Sequence, residues 1–167
     1  MKKQNSKLKT LLANKAGIKL NVGCGQSTEK DEVGMDIRKM DGVDIVHDLE
    51  LVPYPLPHDS CIMIKAHHIV EHINPHKFGF INVMNEWWRI MKPGGKLWII
   101  VPYAGSHGYW QDPTHVNPCN ETTWAYFDPT QHNQSLYNIY KPRPWRLLPG
   151  KLFVNPLFNM ELIFEKM

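Results

Sequence analysis

The residues most suggestive of chemistry lie in the segment "AHHIVEHI", where His68, Glu71 and His72 form the pattern H-x-x-E-H. On a helix, histidines four positions apart lie on one face, where they can bind zinc while the glutamate acts as general base. Such a site needs a third protein ligand. The candidates are Asp112, His115 and Glu121. A zinc hydrolase is therefore one hypothesis that the sequence raises.

The composition indicates one globular domain over residues 1–167. A chain of this length with 43% hydrophobic and 21% charged residues can bury a core, and it contains no run of eighteen apolar residues that would cross a bilayer. The basic segment 1–17 lacks the apolar centre of a signal peptide. We therefore expect a cytoplasmic protein that does not bind membranes.

Cysteine spacing and net charge exclude further classes of protein. Cys24, Cys61 and Cys119 are widely separated and include no C-x-x-C pair, which argues against a disulfide framework or a cysteine-built zinc site. A net charge of +3 is small, and the basic residues are scattered, so the sequence does not indicate a nucleic-acid surface.

The order of apolar runs predicts an α/β fold. Short strands are expected at "IKLNV", "EVGMDI", "VDIVHDL", "CIMIKA" and "KLWIIVP", and the fourth is apolar enough to be buried on both faces. Helices are expected over 6–16, from His68, and over 76–91, where Asn74 is the N-cap. "KLFVN" and "MELIFEKM" suit an antiparallel pair. The prediction is a Rossmann-like three-layer sandwich whose seven-stranded, mostly parallel sheet has an antiparallel last strand.

In such folds ligands bind at the carboxyl ends of the parallel strands. Gly23 and Gly25 follow the first strand, and glycines there allow close approach of the backbone to a ligand. Asp36 ends the second strand, where a carboxylate can accept both hydroxyls of a ribose, and Asp48 follows the third. Their order along the strands predicts a nucleotide-type site.

The ordered blocks "LNVGCGQ", "VGMDI", "VDIVHDLE", "YPLPHDSCIMI", "HHIVEHI", "NEWWRIMKPGG" and "LWIIVP" resemble the class I S-adenosylmethionine-dependent methyltransferases over residues 18–103. The resemblance implies a methyltransferase with S-adenosylmethionine as cofactor. It also implies a set of cofactor-binding residues. These are Gly23, Cys24, Gly25 and Gln26 at the methionine end, Asp36 with Ile37 at the ribose, Asp48 with Leu49 at the adenine, and His67 near the methyl group.

The chain departs from the family pattern in two places. About ten residues separate "GCG" from "VGMDI", too few for a crossover helix, although a short-loop variant of the family shares this. After the fifth strand, the irregular segment 104–146 replaces a helix of normal length. In the family the helix after strand four begins with "HVLEH"-like sequence, which offers a reason for the H-x-x-E-H pattern without any metal. On this interpretation no residue is a metal ligand.

The segment 104–146 follows the fifth strand and is expected on the acceptor side of the sheet. One interpretation is an acceptor pocket in which His115 or Asp112 takes a proton, with His67 as a further catalytic residue and aromatic side chains as walls. The other is structural: Asp112 starts a turn, Asn120 caps a short helix at "NETTWAYF", and the histidines satisfy backbone groups. Trp110 and Trp124 are expected to pack rather than to stack on a ligand.

The expected acceptor is a small molecule, a sugar or a glycan precursor. Enzymes that methylate amino groups of nucleic acid carry [N/D]-P-P-[Y/F/W] after strand four, where this chain has "KAHH", so a nucleic-acid acceptor is disfavoured. The alternatives are a non-catalytic binding or accessory protein with the same fold, and the zinc hydrolase through His68, Glu71 and His72. The sequence does not indicate an oligomeric state.

Overall fold

The computed structural model describes residues 10, 13, 16–131, 134–155 and 157–167. The leading helix expected over 6–16 lies almost entirely outside the described residues. Within the described part, eight strands form one sheet in the order β3-β2-β1-β4-β5-β8-β6, with β7 beside β8. The strands are β1 (Ile18–Val22), β2 (Glu32–Asp36), β3 (Ile45–Val46), β4 (Cys61–His67), β5 (Met91–Pro102), β6 (Trp145–Leu147), β7 (Phe153–Val154) and β8 (Asn159–Lys166).

The strand directions confirm the predicted Rossmann-like α/β fold. The first five strands pair in parallel. β8 runs antiparallel to β5, β6 and β7. The antiparallel pairing of "KLFVN" with "MELIFEKM" is also confirmed, since these segments contain β7 and β8. The strand that the sequence analysis missed is β6, whose three residues are too short to show a hydrophobic period.

The helices are shorter than the sequence predicts. From residue 16 onward, the described α-helices are α1 (Gly79–Ile90), α2 (His107–Trp110) and α3 (Gln134–Tyr140). The described 3-10 helices are Val70–His72, His76–Phe78 and Glu121–Tyr126. The single helix expected over 76–91 is divided because Lys77 and Phe78 have left-handed backbone angles, with φ of 52° and 62°. The predicted N-cap was wrong by one residue, because Pro75 rather than Asn74 precedes the helix His76–Phe78. Asn74 lies next to it, and its Oδ1 accepts a hydrogen bond from the His76 N–H at 2.9 Å.

The connection between β1 and β2 has no helix, as its length predicts. Residues 23–31 form turns that are tied to β2 by two backbone donors. The Cys24 N–H donates to the Met35 carbonyl at 3.2 Å, and the Gly25 N–H donates to the Asp36 carboxylate at 2.9 Å. The glycine turn is therefore held directly against the acid that ends β2.

The prediction that β4 is buried on both faces was wrong. Ile64 and Ala66 are fully buried in the core with residues of α1, whereas Met63, Lys65 and His67 on the opposite face are only partly buried. The "CIMIKA" run is apolar, but only alternate positions face the core. None of the helices in the described ranges has both the length and the apolar character needed to cross a bilayer.

Candidate functional site

The carboxyl edge of the sheet brings the glycine turn and Asp36 together. Gly23 has φ of +62°, and a Cβ at this position would lie 2.5 Å from the Ile69 side chain. Asp36 is 6% exposed, and its two oxygens accept hydrogen bonds from the N–H groups of Gly25 and Arg38, both at 2.9 Å. Because each carboxylate oxygen has two acceptor positions, each oxygen keeps one for a ligand.

A cavity of about 340 Å³ opens beside this carboxylate. Its lining combines two aspartates with apolar side chains. The lining residues are Gly23, Asp36, Ile37, Asp48, Leu49, Glu50, Ile69, His72 and Ile73. Ile37 is 62% exposed, so an apolar surface is available at the site. The volume and the few convergent polar groups are typical of a site for a small organic ligand.

Five of the nine predicted cofactor residues line this cavity and four do not. Those that line it are Gly23, Asp36, Ile37, Asp48 and Leu49. The four that do not are Cys24, Gly25, Gln26 and His67. Cys24 is buried and Gln26 is exposed. Gly25 helps to fix the Asp36 carboxylate by donating its N–H to it. Ile69 and Ile73 also line the cavity but were not predicted, because the apolar residues of this segment were attributed to a helix.

His67 lies apart from the cavity lining. Its ring packs edge-on against Trp98, with centroids 4.4 Å apart, and its Nε2 is buried without a hydrogen-bond partner among the described residues. Burial lowers the pKa of His67 to about 4, so the ring is neutral at physiological pH. The role of His67 near a methyl group stays a prediction, because none of these contacts tests it.

The H-x-x-E-H segment does not form the helix that the zinc-protease pattern requires. His68 has φ of +52°, and only Val70–His72 is helical, as a single 3-10 turn. Since His68 precedes this turn, it does not share a helical face with His72. Instead, Nδ1 of His68 lies 3.4 Å from Oε1 of Glu71, and this carboxylate raises the pKa of His68. The predicted helix from His68 is thus wrong.

A second cavity, of about 390 Å³, adjoins the first and shares His72 with it. Its lining contains His68, Glu71, His72, Asp112 and His115. The predicted catalytic residues Asp112 and His115 therefore lie together, next to the cavity that contains Asp36. His67 is in neither lining among the residues that the structure describes.

The segment "QDPTHVNP" reaches this place because its backbone is bonded to the 3-10 turn. The N–H groups of Val116 and Asn117 both donate to the Glu71 carbonyl, at 2.9 and 3.0 Å. The Asn117 side chain donates to the Val70 carbonyl at 3.1 Å. Two segments that are some forty residues apart in sequence thus form one wall of the second cavity.

The structural roles expected for this region are largely present. Asp112 Oδ1 accepts from the N–H and the hydroxyl of Thr114, and these bonds lower the pKa of Asp112. Asn120 caps the 3-10 helix Glu121–Tyr126 with a capping box. Trp124 is fully buried, as predicted for packing, whereas Trp110 is 72% exposed, so the packing prediction was wrong for Trp110.

A further cavity, of about 450 Å³, lies at α1, away from these residues. Aromatic side chains, including Phe78, Tyr126 and Tyr140, line it. Its lining, among the described residues, includes no carboxylate that could accept ribose hydroxyls. This cavity therefore fits a nucleotide-type ligand less well than the cavity at Asp36.

Comparison with known proteins supports the same fold. No protein-family profile and no curated protein matches the chain. Among solved structures, a SAM-dependent methyltransferase from Archaeoglobus fulgidus has a TM-score of 0.60 at 16% identity, covering 98% of this chain and 92% of that chain.

Two further structures have the same fold. A 16S rRNA (adenine(1408)-N(1))-methyltransferase from Catenulisporales acidiphilia, solved with its cosubstrate SAM, has a TM-score of 0.59 at 14% identity and covers 97% and 90% of the two chains. A Haloferax volcanii complex of the Trm112 methyltransferase activator and a putative methyltransferase gives 0.58 at 10% identity, covering 95% and 88%. The chain therefore has the fold of SAM-dependent methyltransferases.

Proposed function

We propose that the protein is a methyltransferase that uses S-adenosylmethionine. The observation that carries this proposal is the Asp36 carboxylate, which is fixed by two backbone N–H groups and lines a cavity at the carboxyl edge of a sheet with the methyltransferase fold. This is the position at which Rossmann-like folds hold a ribose.

The residues present fit the cofactor. The free acceptor positions of Asp36 suit two ribose hydroxyls, and Ile37, Leu49 and Ile69 offer apolar surface for a base. When bound, S-adenosylmethionine supplies a methyl group on a positively charged sulfur. The part left to this chain is to hold the two reactants in line, to exclude water, and to receive a proton if the acceptor loses one.

The second cavity is our proposed acceptor site. It adjoins the first at His72, and His115 and Asp112 lie in its lining. Nδ1 of His115 lies 2.7 Å from the Tyr109 carbonyl, so Nδ1 is the donor and Nε2 is free to take the acceptor's proton. A cavity of about 390 Å³ suits a small molecule or one sugar unit. His67 has no role in this proposal, because its ring packs on Trp98.

The acceptor class and the location remain proposals. The neighbours include an rRNA methyltransferase, so the fold is compatible with a nucleic-acid acceptor as well as with a sugar or glycan precursor. A cytoplasmic location agrees with the three unpaired buried cysteines, since thiols persist in reducing compartments.

The test is titration calorimetry with S-adenosylmethionine and its demethylated product, followed by methyl-transfer assays on sugars, small hydroxylated molecules and RNA. We expect both cofactor forms to bind and at least one acceptor class to be methylated. If neither cofactor form binds, the proposal that the protein is a methyltransferase is wrong. Binding without transfer to any acceptor would favour the accessory-protein alternative.

A further inference from the structure

We propose that Glu71, His72 and His115 form a binding site for a divalent first-row transition cation. One candidate ligand atom from each residue lies within 4.8 Å of the other two. The separation is close enough for three protein atoms to converge on one ion after small side-chain adjustments. This inference goes beyond the proposed function and does not depend on methyl transfer. While the cation is bound, Nε2 of His115 is a ligand, so the role of base proposed for it belongs to the metal-free protein.

Glu71 has a carboxylate oxygen that lacks a partner. The residue is 1% exposed, and its Oε2 is buried without a hydrogen bond to any described residue. Its Oε1 lies 3.4 Å from Nδ1 of His68, so only one of the two oxygens has a polar neighbour. Leaving a buried carboxylate oxygen unsatisfied is costly, and a cation at the cavity wall would remove that cost.

Hydrogen bonds to Nδ1 of the two histidines favour the tautomer that binds a metal through Nε2. Nδ1 of His115 lies 2.7 Å from the Tyr109 carbonyl, which only accepts, so Nδ1 carries the proton. The Thr114 hydroxyl donates its hydrogen to Asp112 Oδ1 and therefore accepts from Nδ1 of His72, at 3.1 Å. In this tautomer of the neutral ring, Nε2 carries the lone pair that can bind a metal. Metal-binding histidines are commonly oriented in this way, by an outer hydrogen bond from the other ring nitrogen.

The donor set indicates the class of ion. Two imidazole nitrogens and one carboxylate oxygen suit zinc, iron, cobalt or manganese rather than calcium or magnesium, which prefer oxygen ligands. Three protein ligands leave coordination positions open towards the cavity of about 390 Å³. Asp112 Oδ2, 3.8 Å from Nε2 of His115, is near enough to hold a metal-bound water.

This site differs from the one suggested by H-x-x-E-H. In the zinc-protease pattern His68 and His72 are ligands and Glu71 is the base. In the folded chain Glu71 becomes a ligand and His115 replaces His68, because the segment is a 3-10 turn rather than an α-helix.

The test is metal binding by the full chain without a histidine tag. After removal of metal with a chelator, the protein is titrated with Zn²⁺ in a calorimeter, and Co²⁺ is added separately to record the absorption of the bound ion. We expect about one equivalent of each metal. Glu71→Gln and His115→Gln are each expected to weaken Zn²⁺ binding at least tenfold. His76→Gln, which removes an exposed histidine four positions from His72, is the matched control and should leave binding unchanged.

Thr114→Val keeps the inference testable if the ligand variants fail to fold. Thr114 is exposed and is not itself a ligand, and its loss frees the His72 ring from its hydrogen bond. We expect Zn²⁺ affinity to fall about tenfold, as for the loss of other outer-sphere partners. Uptake of less than about one tenth of an equivalent by the wild type would overturn the proposal. The proposal would also be overturned if folded Glu71→Gln and Thr114→Val proteins bound Zn²⁺ as tightly as the wild type. These readouts need no cofactor, so they are independent of the methyltransferase assay.

Discussion

At the scale of single residues, Asp36 has two tasks. Its carboxylate accepts two backbone N–H groups, which fixes the glycine turn, and it lines the cavity with its remaining acceptor positions. A fixed carboxylate can bind a ribose without a further loss of side-chain freedom. The residue thus links the local fold of β2 to the proposed ligand site.

Replacing Asp36 by alanine is expected to weaken binding of the demethylated cofactor by about 1.5–3 kcal/mol, the range for hydrogen bonds to a charged group. Calorimetry measures this change, and denaturant unfolding checks that the variant is folded. Asp31→Ala is the matched control, because Asp31 is an exposed aspartate that pairs with Lys19 outside the cavity. Equal affinities of a folded Asp36→Ala protein and the wild type would remove Asp36 from the site.

At the scale of elements, the turn after β1 is shaped by two glycines in different surroundings. Both have positive φ, +62° at Gly23 and +52° at Gly25. A Cβ on Gly23 would lie 2.5 Å from Ile69, whereas a Cβ on Gly25 would meet nothing within 4 Å. A substitution at Gly25 thus adds backbone strain alone, whereas one at Gly23 adds both backbone strain and a steric conflict.

Gly25→Ala is expected to cost about 1 kcal/mol of folding free energy, which is the cost of a left-handed conformation for a residue with a Cβ. Gly23→Ala should cost more, because the same strain is joined by a collision with Ile69 at the cavity wall, and cofactor affinity should fall with it. Denaturant unfolding and cofactor titration of both variants provide the measurements. Equal losses in the two variants would show that the approach to Ile69 carries no cost.

At the scale of the whole molecule, the partly buried face of the sheet carries a histidine that resists protonation. Burial against Trp98 lowers the pKa of His67 to about 4 in the folded protein, against about 6.5 in the unfolded chain. Between these values the unfolded chain binds the extra proton, so folding is stabilised above pH 6.5 and loses this stability as the pH falls towards 4.

We expect His67 to contribute about 1–2 kcal/mol to the fall in unfolding free energy between pH 6.5 and 4.5, less than the full shift because the ring is only partly buried. Urea unfolding at several pH values measures it. His67→Gln should flatten the profile over this range, and the exposed-site variant His76→Gln should keep the wild-type slope. A His67→Gln profile as steep as the wild type would contradict this assignment.

Local features of the sequence were enough for the fold and for one half of the site. The positions of the strands along the chain, the glycine turn and the acids at the strand ends depend on hydrophobic period and turn chemistry, which act within a few residues. Gly23, Asp36 and Asp48 could therefore be predicted from the residues themselves, whereas Ile37 and Leu49 were implied by the family resemblance. The structure places all five in the lining of one cavity.

Tertiary contacts decided the other half of the site, which is the second cavity. The local pattern at His68 predicts a helix, but only the 3-10 turn Val70–His72 forms there. Its Glu71 carbonyl accepts hydrogen bonds from the N–H groups of Val116 and Asn117. No periodicity in either segment encodes that contact, because it joins parts of the chain that meet only once the sheet has formed. The sequence by itself thus determined which glycine and which acids lie at the carboxyl edge of the sheet. Folding decided that Glu71, His72 and His115 share one wall, since a cluster of side chains from distant segments depends on packing rather than on spacing.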